Sequence, residues 1–267
     1  MTDRFKFLEI PSEPKRDKRK RSSYSEKSLI EKYFEKAIEN YFSGNFVEAL
    51  RTLSRISQEK QNLIDVWVLK ILTLLCLQNK RQAIKLYSNV LTIFKNFNIY
   101  IESIGLLLTL RENRDIKYFL KRLSDIQKKE DNPILHIIRF YFLVSYSKIS
   151  SKKLYKKLQE LKLSQIDYFF LFAILHLIIQ EKKYHHALSI TDILINEFEE
   201  NYYLFYLKGL LNYKVYADKK ALKFIEICLN LNPKFQKARD LRAKIKNSYF
   251  PGLLKIILSR IFPFITR

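Results

Sequence analysis

The chain has 267 residues and a mass of 32.2 kDa, room for one large domain or two small ones, and its 48% hydrophobic and 28% charged content excludes wholesale disorder. Its glycines, Gly44, Gly105, Gly209 and Gly252, are never closer than 43 positions; that excludes a Gly-rich phosphate loop, which needs glycines within a few residues of one another. The formal charge is +22, a balance that attracts nucleic acid, anionic membrane or acidic protein.

Residues 1–28 read as a disordered basic segment, because Pro11–Ser22 lacks large apolar side chains and Lys15–Arg21 holds six basic residues in seven. A short apolar patch, Phe5–Ile10, stands ahead of it. Met1–Lys6 has no apolar signal core, and two cysteines, Cys76 and Cys228, are too few for a disulfide framework. A cytoplasmic, reducing location is expected. The longest apolar run, Tyr168–Ile179, has twelve residues, short of the ~20 a membrane span needs.

From about residue 29 to 235 the chain reads as helix after helix, with apolar residues at three- and four-residue spacing and breaks at polar clusters such as Ser43-Gly44-Asn45. A fixed period runs through it. Ala49 and Ala83 stand 34 residues apart, as do Ala187 and Ala221. Trp67, Ala83 and Tyr87 mark the second unit; Tyr33, Ala37, Gly44 and Ala49 mark the first. Phe205, Gly209, Ala221 and Pro233 mark the last. Spacing and residues together resemble the tetratricopeptide repeat. The resemblance implies an all-α, right-handed solenoid of about six helix-turn-helix units, each unable to bury its apolar face without its neighbours. Two middle units depart from the pattern. Counting 34 on from Ala83 reaches Lys117, and the unit from about Pro133 to Gln165 has no small residue at the packing site. Its helices are expected to sit wider or out of register, with about two extra residues near Lys152–Lys157.

In this family the first helix of each unit lines a concave groove. Carried over, the lining positions include Phe34, Ile38 and Tyr41, then Val68, Leu72 and Leu75, then Phe169, Phe172 and His176, and finally Tyr203, Tyr206, Leu210 and Tyr213. The carboxylate-gripping set of one subgroup is missing: its places hold Phe34, Ile38, Leu69, Ile99 and Ser103. An apolar peptide or helix is therefore the expected partner. Helices apolar all round equally fit burial against the next unit.

Lys237–Lys246, within 236–250, suits a closing helix. In the tail, 251–267, Leu253, Leu254, Ile257, Leu258, Ile261 and Phe262 share one helical face, with Lys255 and Arg260 beside them. Such a segment can lie in an anionic membrane surface; folding back onto the solenoid and a homodimer contact are the alternatives. Residues 234–267 carry nine basic groups against one acidic. The body's charge looks thinly spread, so a nucleic-acid-associated role through the basic ends is the second reading.

No nucleophile elbow and no metalloprotease motif is present. His185 and His186 are adjacent and point about 100° apart on a helix. Both cysteines and His136 and His176 lie in apolar helical surroundings. A non-enzymatic scaffold or adaptor is expected, with no cofactor, no metal and no small-molecule substrate.

Overall fold

The structure, a computed structural model, describes residues 20–111, 116–130 and 132–247. Among the described residues there are thirteen α-helices and no strand. They are α1 (Lys20–Phe42), α2 (Phe46–Glu59), α3 (Ile64–Cys76), α4 (Lys80–Ile93), α5 (Ile99–Arg111), α6 (Ile116–Gln127), α7 (Pro133–Ser145), α8 (Ser151–Gln159), α9 (Gln165–Gln180), α10 (Tyr184–Glu197), α11 (Tyr202–Lys214), α12 (Asp218–Leu231) and α13 (Gln236–Lys246). Because α1 starts at Lys20, residues 20–28 are helical, which corrects the expectation of disorder there. The closing helix is α13. The tail, with the residues expected to contact a membrane, lies outside the described residues. No described helix is long and apolar enough to cross a membrane.

Five helix-to-helix turns use one backbone device. The apex residue has positive φ in each: Gly44 (72°), Gln78 (61°), Ser147 (54°), Lys182 (60°) and Tyr216 (61°). The next N–H reaches back five positions to a helix carbonyl, as from Asn79 to Leu74 and from Ala217 to Asn212, both 2.9 Å. This is the Schellman ending, which satisfies carbonyls the helix leaves open. Successive apexes stand 34, 69, 35 and 34 residues apart. A backbone motif thus recurs on the period of the alanines.

The alanines explain how the hairpins close. Ala49, Ala83, Ala187 and Ala221 are each fourth in their helix and wholly buried. Opposite Ala221 stands Gly209, where an added Cβ would lie 2.6 Å from Ile225 Cδ1 and 3.3 Å from the Ala221 carbonyl oxygen. Two small residues let α11 and α12 approach closely. The fourth residue of α6 is Phe119 and that of α8 is Leu154, both buried, while Lys117 is exposed. The middle units therefore present bulk where the others present a methyl group.

Four helices close into an inner ring: α3 packs on α5, α5 on α7, α7 on α9, and α9 back on α3. Helices α3 and α9 bury ten residues each, and their apolar residues surround the whole circumference, as burial on every side demands. At ~1.5–3 kcal/mol for each fully buried large aliphatic or aromatic side chain, this ring is the main source of stability. The hairpin α1–α2 packs on α3, and α11 to α13 continue from α10. A second, smaller cluster around Ile225, Cys228 and Leu241 holds that end together.

Candidate functional site

Most residues placed on a concave groove are interior. Ile38, Tyr41, Val68, Leu72, Leu75, Phe169, Phe172 and Tyr203 are buried, and Phe34, His176, Tyr206, Leu210 and Tyr213 are half-buried. The expectation of an open apolar groove fails for the buried eight, because the inner ring fills the space such a groove would occupy. The C-terminal end of α1 is tied across to residues far along the chain. The Tyr41 hydroxyl donates to the Phe169 carbonyl at 2.8 Å, and the Asn201 amide donates to the Phe42 carbonyl at 3.1 Å. Gly44 meets the Tyr203 ring so closely that a Cβ there would collide with it. The Phe42 ring lies 5.0 Å from Phe172 and 4.6 Å from Phe198. At the far end Tyr206 packs on Phe235 at 5.2 Å, and the Lys244 ammonium of α13 sits 5.8 Å from the Tyr213 ring centre. The helix α13 thus packs against this end of α11.

The nucleophile candidates are enclosed. Burial pushes both thiols up to about 12, and the Cys76 thiol contacts the Tyr41 hydroxyl at 3.9 Å. His176 lies between Phe46 and Phe172, each 5.0 Å away, and stacks on Tyr203 at 6.0 Å. Its Nε2 is buried with no hydrogen-bond partner. Burial, and secondarily the Lys237 ammonium, pulls it down to about 4. His186 contacts the Ile149 carbonyl at 2.8 Å through Nε2, tying α10 to the start of α8. Among the described residues no group of three or more His, Cys, Asp or Glu is arranged to hold a metal.

Among the hairpins whose turns are described, one departs from the others. Three residues join α1 to α2, α3 to α4, α9 to α10 and α11 to α12, but five, Tyr146–Ser150, join α7 to α8. The additional residues thus precede α8 rather than falling within Lys152–Lys157. Seven positions before the apex Tyr216 stands Gly209; seven before the apex Ser147 stands Phe140. Phe140 and Leu154 thus replace the Gly209 and Ala221 that close the last hairpin. The turn between α7 and α8 is longer, and α8 packs on α10 rather than closely on α7.

The result is a cleft of about 440 Å³ lined by His136, Arg139, Phe140, Leu143, Lys148, Ile149, Lys153, Lys157, Glu160 and Leu161. Helix periodicity builds both walls. His136, Arg139, Phe140 and Leu143 fall on one face of α7, and Lys153 and Lys157 on one face of α8. The Ser150 hydroxyl caps α8 by accepting from the Lys153 N–H at 3.3 Å, while Leu154 and Leu158 bury the opposite side. The floor is apolar, the rim basic. Beside the cleft, the two Glu181 oxygens accept from the Tyr141 hydroxyl at 2.6 Å and the Ser145 hydroxyl at 2.9 Å.

None of the cleft residues except His136 stood out in the sequence. A signal was present: between Arg139 and Lys162 seven basic residues face one acidic, Glu160. Charge that looked thinly spread over the body is gathered here. No family model, no curated protein and no solved structure matches the chain.

Proposed function

We propose that this chain is a non-enzymatic helical-repeat scaffold of the tetratricopeptide kind, built of about six right-handed units, whose docking site is the α7–α8 cleft. What carries the reading is the contrast between a filled ring and one wedged hairpin. Four units close tightly on alanine, whereas the fourth holds bulk at both packing positions and opens to solvent. The recurrence of one turn at intervals of 34, 69, 35 and 34 residues, one or two periods each, supports the repeat. A cleft with an apolar floor and a few convergent polar groups, within the ~300–1,000 Å³ usual for binding sites, supports the location. Enclosed thiols held in the neutral form, and a neutral His176 whose Nε2 is buried, support binding over catalysis.

A photo-crosslinking amino acid placed at position 153, in the cleft, and at position 210, beside the remnant of the groove, separates the two locations in cells. Capture of one protein from position 153 alone, abolished by excess uncrosslinked full chain, is the expected result. Capture from position 210 alone restores the groove, and capture from neither overturns the scaffold reading.

A further inference from the structure

We propose that the α7–α8 cleft receives the apolar ridge of an acidic amphipathic helix from a partner protein, an inference that rests on the scaffold reading above. Among the described residues little carboxylate charge answers the rim. Lys157 has Glu160 at 3.6 Å, with both side chains about half exposed, which is worth little. Arg139, Lys148 and Lys153 have no carboxylate within ion-pair distance among the described residues. Lys153 and Lys157 are an i, i+4 pair of like charge, which costs the isolated helix a few tenths of a kcal/mol. A carboxylate docked between them relieves that repulsion.

The floor decides between anions. Phe140 and Ile149 are 7% and 8% exposed, so they offer apolar surface at the bottom of the cleft but no free ring face on which a base could stack. A phosphodiester chain would answer the rim and leave the floor unused. An amphipathic helix answers both. Along α7 the cleft-lining residues run from position 136 to position 143, about 10 Å at ~1.5 Å per residue. Apolar residues at i, i+3 and i+7 of a docked helix cover the same length. About 440 Å³ admits a few side chains and excludes a whole helix, so the partner lies along the cleft with its ridge inserted and its acidic flanks over the rim.

The test is fluorescence anisotropy on the full chain with a labelled synthetic helix carrying Leu at i, i+3 and i+7 and Glu at its flanks. Three controls accompany it: the same helix with Lys for Glu, a peptide of equal charge with the Leu positions scrambled, and single-stranded oligouridylate. The acidic amphipathic helix should bind, weaken as salt rises, and lose at least tenfold in affinity with Lys153→Glu/Lys157→Glu. The two substituted positions are exposed, and an unchanged circular dichroism melt verifies folding. Equal binding of the scrambled peptide overturns the proposal, because the floor is then unused. Tighter binding of oligouridylate that depends on Lys153 and Lys157 overturns it in favour of nucleic acid. If crosslinks form at position 153 while no acidic helix binds, the site stands and the partner class is wrong; if neither occurs, the scaffold reading has failed.

Discussion

Replacing His176 by phenylalanine keeps a ring in the aromatic knot between α1, α9 and α11 and removes the one imidazole inside it. The folded protein holds His176 at about 4 instead of 6.5. Between those values the unfolded chain carries a proton that the folded chain does not, so this group makes stability fall as pH drops from 6.5 to 4. Below that window its full effect is about 3 kcal/mol; at pH 5, relative to pH 7, it is about 2 kcal/mol. Tyr203, which stacks on the ring, and Tyr41 and Cys76 nearby in the same core are raised by burial and stay neutral throughout. The Lys237 ammonium adds to the penalty. Asp65 and Asp167, raised chiefly by burial, act in the opposite sense, but both proteins retain them and they cancel in the difference.

Urea unfolding of wild type and His176→Phe at pH 7 and pH 5 isolates the effect. At pH 7 the variant should match or exceed wild type by about 1 kcal/mol, because a buried unpaired nitrogen is gone. At pH 5 its advantage should grow by about 2 kcal/mol. Parallel pH profiles for the two proteins would refute the reasoning and place His176 in contact with water.

Asn201 does two jobs. Its side-chain oxygen caps α11 by accepting from the Tyr203 and Leu204 N–H groups at 3.0 and 3.2 Å, while its amide donates to Phe42. Asn201→Ala should lose about 1–2 kcal/mol in urea unfolding, and Asn201→Asp, which keeps the cap, about half as much; equal losses would mean that the bridge to α1 adds nothing. For the tail, the full chain should co-sediment with anionic vesicles and a chain ending at Phe250 should stay in solution. Equal recovery of the two removes the tail from any membrane role.

The helices and the 34-residue spacing were readable because each is set locally. An alanine fourth in a helix, a polar break and a proline after the last repeat act through neighbours a few residues away. The turn apexes were less visible, since Gln78, Ser147, Lys182 and Tyr216 are not residue types that favour positive φ; the turn is imposed by the helices on either side. The groove was misread for a different reason. Tyr41 and Phe169 are 128 positions apart, and Asn201 and Phe42 are 159; no local pattern records that α9 returns to α3. The apolar circumference of α3 and α9 pointed that way, because a helix lining an open groove keeps one polar side.

The cleft shows why an exception in a repeat is informative. In units closed by alanine, any partner must bind outside a packed hairpin. Phe140 and Leu154 stand where α11 and α12 have Gly209 and Ala221, and α7 and α8 do not share the close contact of that hairpin. Packing alone gives no reason to retain that arrangement, since small residues at both positions would close the gap as they do between α11 and α12. Nor does solubility, since the four basic side chains at the cleft repel one another across it. A ligand that needs both an apolar floor and a positive rim accounts for the bulk, the longer turn and the clustered charge together.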